Sequence, residues 1–417
     1  MVHAYPFRGL RVRADRAVQV ASVPYDVIDT AAAKLQVRRN PMSFLQVTRP
    51  ESNLYLEEPA NVSTCEAASL GALRDFLQSE TLIQDQTPRY YLYRLQEGDH
   101  VQTGVVFCAS VADYLAGIVR KHEYTRPDKE QDRVDHMLNL GVQTGLVLLA
   151  HPDDRDLASV VDVVTHTVPQ VDFVASDGVR HVLWDVCDQA QIAIIAGAYG
   201  AMEAVFIADG HHRSAAAARV LIERRFPSTE PAVRDGFIAV SFPASELRIL
   251  PYHRVVREMP FEVDVLWRAL SSIGVLSDGI NLDWDHPSVA VYAQGSWQTL
   301  CFADRLIPKD RLRALDVSLV QDLILQPLWQ VEDPRTDPRM AFVGGDVTPK
   351  VLEEATGAQG VAFLMRPTSI EDVMAIANAG HVMPPKSTWF SPKLRDGLLC
   401  HVFDSERMGV VPVASCA

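Results

Sequence analysis

The stretch Ala204-Val205-Phe206-Ile207-Ala208-Asp209-Gly210-His211-His212-Arg213-Ser214 decides how the chain is read. Ala204 to Ala208 is an unbroken apolar run, the pattern of a buried strand. Gly210 permits a tight turn. A helix then begins near His211 or His212 and runs on through Ala215–Ala218. The first turn of such a helix has N–H groups without intrahelical partners and carries the positive end of the helix dipole. Two imidazoles and a guanidinium in the same turn suit a phosphate or a carboxylate. A plainer reading makes Asp209 a helix cap and the histidine pair incidental. A metal site is the third reading, but adjacent histidines on a helix diverge by ~100° and no third ligand is evident.

Outward from this stretch, strands and helices mix without strict alternation. Arg89–Arg94 and Val101–Phe107 flank the turn Gln96–Asp99 as a β-hairpin. Further strands are expected at Val142–Leu149, Val179–Asp185, Phe237–Phe242 and Val289–Tyr292, and near the end at Met340–Val343, Gly360–Met365 and Leu398–Phe403. Helices are expected at Cys65–Leu82, Asp188–Ala198, His211–Arg225, Arg311–Leu325, Thr348–Glu354 and Ser369–Ala377. Residues 1–60 are punctuated by prolines and are expected to wrap a surface. The pattern predicts an α+β fold, mixed sheets with packed helices, rather than a doubly wound parallel sheet.

At 417 residues the chain is long enough for two or three cores. The expected division is an N-terminal α+β lobe over 1–250 and a C-terminal α+β lobe over 251–417, with Arg225–Gly236, polar and carrying two prolines, as a boundary or exposed loop. Lys and Arg number 39 against 53 Asp and Glu, a net charge of −14. That excludes a nucleic-acid surface as the main function, because such a surface needs a cationic excess. No window reaches the ~20 apolar residues of a membrane span. Met1–Leu10 has no basic stretch followed by an apolar core, so no secretory signal is read there. The six cysteines are scattered without a CxxC pair, which suggests reduced thiols and a cytoplasmic setting.

Two other clusters stand out. Arg120 to Arg133 is dense in both charges, and a solvated helix face is its default reading. Within it, His122, Glu123, Thr125 and Arg126 precede Pro127, a natural first helical residue, and so lie in a loop. Met383-Pro384-Pro385-Lys386-Ser387-Thr388-Trp389-Phe390-Ser391-Pro392-Lys393 has stiff prolines ahead of three groups suited to phosphate. It lacks P-loop spacing, and its plain reading is a surface turn with Trp389 packed inward. Pro6–Leu10, Val23–Val27 and Glu332–Asp337 look like ordered, specific loops. There is no GxSxG, HExxH or GxGxxG.

Taken together, Pro6-Phe-Arg-Gly-Leu10, Pro24-Tyr-Asp-Val-Ile28, Lys121-His-Glu-Tyr-Thr-Arg-Pro-Asp-Lys-Glu130, Asp209-Gly-His-His-Arg213 and Met383-Pro-Pro-Lys-Ser-Thr-Trp-Phe390 resemble the DUF1015 family. A more distant resemblance is to the free serine kinases of the ParB/sulfiredoxin superfamily, where a Gly-x-x-Arg type motif at a helix start holds nucleotide phosphates. That resemblance implies a ParB/sulfiredoxin-like core. It implies phosphate contacts from Gly210, His211, His212 and Arg213, with Ser214 next to them; Lys386, Ser387 and Thr388 are expected, on their residue types, to add to that grip. It implies Glu123 as the base that activates a substrate hydroxyl, with Asp209 and His211 as the other catalytic groups. His122, Thr125, Arg126 and Trp389 would then hold the substrate.

The activity expected on these grounds is transfer of a phosphoryl group from ATP or ADP to a small hydroxylated metabolite, L-serine first. Mg²⁺ would bridge the phosphates with help from Asp209. The competing readings are a nucleotide-binding switch without turnover and a hydrolase of small phosphoesters. The Lys121–Arg126 loop, the Lys386–Trp389 loop and the Asp209–Arg213 turn are expected to form one pocket.

Overall fold

The computed structural model describes residues 1–53, 55–56, 60–224, 235–357 and 359–408. Two compact units emerge: one is Met1–Lys121, Thr125–Leu247 and Pro392–Ala417, the other His122–Tyr124 and Arg248–Ser391. The expected lobe 251–417 differs from this division at its end. From Pro392 the chain belongs to the first unit, because the strand Leu399–Val402 pairs there with two other strands. The expected loop Arg225–Gly236 lies, except for its last two residues, outside the described residues, as does Cys416; the other five cysteines are free thiols. No described helix is long and apolar enough to cross a membrane.

The strands of the first unit are β1 (Ala4–Tyr5), β2 (Gly9–Val12), β3 (Leu82–Gln84), β4 (Tyr90–Glu97), β5 (His100–Ser110), β6 (Val119–Arg120), β7 (Val142–Gln143), β8 (Val147–His151), β9 (Val171–Val174), β10 (Arg180–Val186), β11 (Val205–Asp209) and β12 (Gly236–Pro243). The large sheet runs β6-β11-β8-β12-β5-β4-β10-β9, with β1 on β5. β11 is parallel to β6 and β12 to β8; the other pairs are antiparallel. The fold is therefore α+β with mixed sheets, and the hairpin β4–β5 turns at Gly98, whose φ of 58° glycine adopts without strain. A smaller sheet, β3-β2-(Leu399–Val402)-β7, uses the N-terminal segment that was expected only to wrap a surface. That segment also folds into Thr30–Arg39, capped by Asp29, whose Ala33 and Val37 bury against Leu45.

Helices α1 (Pro127–Leu140) and α3 (His211–Arg224) of this unit border the site, and α2 (Arg155–Thr165) lies apart from it. α1 begins at Pro127, whose missing N–H costs nothing there, and ends at Gly141 with φ 70°. It packs on α3, and α2 packs on the helix Gln189–Ala201, capped by Asp188. One core of Val, Leu, Phe and Ala, with Trp184 and Tyr199 among its large rings, joins these helices to the sheet. Each large apolar side chain so buried contributes about 1.5–3 kcal/mol. The strand expected over Val142–Leu149 is split into β7 and β8, since Gly145 and Leu146 turn toward Arg213 of α3.

The second unit has the strands β13 (Arg248–Leu250), β14 (Tyr252–Val256), β15 (Gly274–Asp278), β16 (Ser288–Ala293), β17 (Ser296–Phe302), β18 (Met340–Gly344), β19 (Val361–Leu364) and β20 (Trp389–Ser391). Six of them form an antiparallel sheet in the order β15-β17-β16-β19-β14-β18, and β13 pairs with β20. Helices Val263–Ile273 and Ile370–Asn378 bury Leu266, Leu270, Val373 and Ile376 in a core around Trp329 and Phe363. The helix expected at Arg311–Leu325 starts late, at Asp316, because Leu315 is extended (φ −60°, ψ 139°) and becomes its cap. Its second half, Gln321–Leu325, widens into a π turn.

Four histidines, His151, His181, His253 and His401, are at most 2% exposed. Burial pushes their pKa values down to about 4, 3, 4 and 4. A depressed histidine leaves stability intact above the unfolded value near 6.5 and removes it as pH falls toward the folded one. Each unit is worth about 1.4 kcal/mol. We expect the urea midpoint to drop steeply between pH 6.5 and about 4. A flat profile across that window would contradict these four imidazoles being held neutral.

Candidate functional site: a buried arginine at the start of a helix

β11 ends on Asp209, Gly210 turns with φ 99°, and α3 follows at once. A Cβ on Gly210 would stand 3.3 Å from the Cα of Val147 and 3.4 Å from the Arg213 guanidinium, so glycine is needed for space as well as for φ. The Ser214 N–H donates to the Gly210 carbonyl at 3.0 Å and closes the first helical turn. The Ser214 hydroxyl, fully buried, donates to the His211 carbonyl at 3.0 Å. Ala215 to Ala218 are buried small residues, which brings the helix close to the sheet.

Arg213 does not point to solvent; it is 5% exposed. Its NH1 donates to the Leu146 carbonyl. Its NH2 lies 3.7 Å from Asp26 Oδ2 and 3.8 Å from Asp209 Oδ1. Its Nε is buried with no hydrogen-bond partner among the described residues. The Lys393 ammonium donates to Asp209 Oδ2 at 3.0 Å. Asp396, 3% exposed, completes the group: a Cβ on Gly145 would sit 3.1 Å from its Oδ1 and 3.3 Å from Arg213 Cδ. Beside it, the Arg133 guanidinium of α1 stacks 3.8 Å above the Tyr25 ring, a cation–π contact.

These charges set one another. Burial works against ionisation of Asp209, but Lys393 and then Arg213 outweigh it and hold the carboxyl well below its usual range. Burial also opposes the charge of Arg213, and Asp26, Asp209 and Asp396 together raise its pKa. For Asp396 burial wins: its pKa is pushed up to about 7, with Arg213 opposing and Asp26 adding to the rise. One guanidinium is thus ringed by three carboxyls, of which the sealed one keeps its proton toward neutral pH.

The other expected residues fall into two groups. His212 Nε2 accepts from the Arg126 backbone N–H at 3.0 Å, so this ring sits on the cap of α1. Thr125 Oγ1 donates to Glu130 Oε2 at 2.8 Å, and the Arg126 side chain pairs with Asp128 at 2.9 Å. His211 is 6% exposed. Arg126 therefore meets the Asp209–Arg213 turn through His212, while Thr125 is turned to Glu130 of α1. His122, Glu123 and Lys386–Trp389 belong to the second unit. There His122 Nε2 lies 3.5 Å from Thr388 Oγ1, and the Met383 N–H donates to the His122 carbonyl at 2.8 Å. Ser387 Oγ donates to the Pro384 carbonyl at 2.6 Å. The Lys386 ammonium lies 5.3 Å over Tyr252, and Trp389 packs on Gly344 so closely that a Cβ there would meet the ring at 2.1 Å. Glu123 acts electrostatically on Arg335. Asp26 and Lys393 lie in stretches the sequence singled out. Asp396 does not, and no spacing links it to residue 213.

Among the described residues no group of three or more His, Cys, Asp or Glu side chains is arranged to hold a metal ion. A Mg²⁺ that arrives on nucleotide phosphates needs only one or two carboxylates. Asp26 and Asp209, with side chains 38% and 33% exposed, fit that need; sealed Asp396 does not.

Two outcomes test this site. Arg213→Ala should cost about 1.5–3 kcal/mol of folding stability, since it removes the charged donor to the buried Leu146 carbonyl and the cation facing Asp26 and Asp209; a loss below about 1 kcal/mol in urea unfolding would contradict the arrangement. Asp396 has a raised pKa, so its contribution is complete below the unfolded value near 3.8 and is lost as pH rises through about 7. Asp396→Asn should therefore gain stability progressively over the parent between about pH 4 and 7 and hold that gain above it, by a few kcal/mol at most. A pH-independent difference would show that Asp396 is ionised throughout.

A search of curated proteins gives no match. Among solved structures, SbnI with a C-terminal truncation from Staphylococcus aureus aligns with a TM-score of 0.38 at 11% identity, covering 69% of this chain and 84% of that one. A free serine kinase in complex with AMP aligns at 0.34 and 12%, covering 69% and 86%. A conserved hypothetical protein from Pyrococcus furiosus aligns at 0.33 and 13%, covering 70% and 93%. At such scores the chain paths agree only loosely, and no chemistry is carried over. The family model for the protein of unknown function DUF1015 matches residues 4–318, which takes in the Lys121–Glu130 and Asp209–Arg213 motifs but not Met383–Phe390, and the chain belongs to that family.

Proposed function

We propose that the protein is a phosphotransferase that moves a phosphoryl group from ATP or ADP to a small hydroxylated metabolite, with L-serine the first candidate on the motif resemblance. The observation that carries this reading is the junction at Asp209. A strand-end carboxylate held ionised, a lysine at 3.0 Å and a buried guanidinium all meet at a glycine turn into a helix. Phosphoryl transfer asks mainly for positioning and charge neutralisation. The backbone N–H groups of the first turn of α3, reinforced by the helix dipole, suit the donor phosphates. Lys393, 20% exposed at its side chain, is the cation suited to follow them.

Arg213 has a different part in this scheme from a direct phosphate contact. Its NH1 is engaged with Leu146, so it fixes Asp26 and Asp209 and adds positive field from beneath. Mg²⁺, when bound with the nucleotide on Asp26 and Asp209, supplies charge neutralisation across the phosphates. Glu123 keeps the base role that the motif resemblance implies, accepting the proton of the substrate hydroxyl.

The test is incubation of the full chain with L-serine and labelled ATP or ADP. The expected product is phosphoserine. Acceptor-independent release of phosphate would replace the reading by a hydrolase, and nucleotide binding without turnover by a switch. Lys393→Ala should weaken nucleotide binding by roughly ten- to a hundredfold, the worth of a charge-assisted hydrogen bond of about 1.5–3 kcal/mol. Glu123→Gln should bind nucleotide normally and turn over about 10²–10⁴-fold more slowly. Unchanged turnover would remove Glu123 from the mechanism.

A further inference from the structure

A second cavity, of about 200 Å³, lies in the first unit between α2 and the sheet. His151 lines it from the far end of β8, five residues beyond Leu146, which holds Arg213. At about 3.3 Å per residue that is roughly 17 Å from the buried arginine. The cavity is therefore separate from the Asp209 cluster. Its volume is below the ~300–1,000 Å³ typical of sites for drug-sized ligands. It suits a small metabolite.

Its lining carries one cation, Arg94, and one unsatisfied nitrogen; of its three carboxylates, Asp154 caps α2, Asp162 lies on it and Glu246 lies beside Thr103. Arg94 and Thr103 face each other across β4 and β5, and Arg94 Nε donates to Thr103 Oγ1 at 2.9 Å. The guanidinium lies 5.2 Å over Trp184, which fixes its plane. Among the described residues its two terminal nitrogens make no hydrogen bond, so the fork that matches a carboxylate is open. Glu246 Oε2 accepts from the Thr103 backbone N–H at 2.6 Å, so both charges are anchored on the same residue. His151 is 1% exposed. Its Nδ1 is bonded to Ser241 Oγ at 2.7 Å, and its Nε2 is buried with no partner. A buried polar atom without a partner is uncommon in a native fold and marks a place where a further partner fits. Leu157 and Val161 of α2 supply an apolar wall. Asp154 also reaches the rim, but its carboxylate is spent on capping α2 at 2.9 Å.

We propose that this cavity binds a free α-amino acid with a short apolar side chain. The carboxylate would lie on the Arg94 fork, the ammonium beside Glu246 and His151 Nε2, and the side chain on Leu157 and Val161. A zwitterion is the class that the lining selects. Arg94 and Glu246 already act on each other, and a zwitterion adds a counter-charge to both while leaving the net charge of the cavity unchanged. Neutral His151, its pKa lowered to about 4 by burial, adds an acceptor without adding charge in its Nδ1–H tautomer. The proposal is independent of the phosphotransferase reading and stands or falls by itself.

Calorimetric titration of the full chain with L-valine tests it. Isovalerate, which lacks the ammonium, and isobutylamine, which lacks the carboxylate, are the comparators. Saturable binding of L-valine is expected, with each comparator weaker by about tenfold or more, the loss that follows from one charge-assisted contact. Arg94→Met keeps an apolar stem over Trp184 and should lose L-valine binding by a similar factor. Ala158→Leu fills the cavity from α2 without touching a charge and should abolish binding. Glu246→Gln, nearly isosteric, serves as the charge test if the Arg94 variant does not fold. Absence of binding at about 10 mM L-valine would overturn the proposal. So would comparators that bind equally well, or folded variants that bind as the parent does. Nucleotide titration of the same variants should be unchanged.

Discussion

The first unit is organised around one costly group, the guanidinium of Arg213. Removing such a charge from water is unfavourable unless other charges and hydrogen bonds answer it. Here the answers come from four distant points of the sequence: Asp26, the Leu146 carbonyl, Asp209 and Asp396. Satisfying one side chain therefore pins the N-terminal loop, the start of β8, the end of β11 and the C-terminal segment together. The same group explains the local backbone. Gly145 and Gly210 both border the guanidinium, and a side chain at either would crowd it at 3.3–3.4 Å.

The electrostatic result is a site whose sign differs with depth. The interior is cationic, the layer above it is the pair of partly exposed carboxylates Asp26 and Asp209, and Lys393 lies over Asp209. A chain of net charge −14 thus keeps a small region where anions and a divalent cation are both acceptable. The sealed carboxyl of Asp396 gives that region a titrating group near neutral pH.

Much of this was legible before any coordinates. The strand–Gly210–helix junction, the β4–β5 hairpin and the helix after Ser369 follow from apolar runs, turn residues and caps; the first and last form within a residue of their expected places, and each hairpin strand runs three residues past its expected end. What local reading could not supply was the burial of Arg213, because a guanidinium after Gly-His-His reads as a free anion ligand until the acids around it are known. Residues 26 and 396 carry no signal of their partnership, since the chain between them spans nearly its whole length. The break between β7 and β8 was hidden for the same reason: it is imposed by a side chain from another element. Helix α2 was not read at all. Its Val160, Val161, Val163 and Val164 are β-branched and suggest a strand as readily as a helix. The strand β14 was missed too, and with it the Tyr252 that Trp389 packs against at 5.3 Å.

The small sheet has a consequence for how the molecule is made. Leu399–Val402 is an inner strand there, between β2 and β7, yet it is among the last described residues to leave the ribosome. Until it emerges, β2 and β7 keep open edges, and Asp396 has not reached Arg213. The strands and core helices of the second unit, from Arg248 to Ser391, are by then fully synthesised. The unit begun earlier is thus completed later: its small sheet waits for a strand that follows the whole of the second unit in the sequence. A chain released at residue 391 would carry every strand of the second unit while the small sheet of the first unit lacked one of its two inner strands.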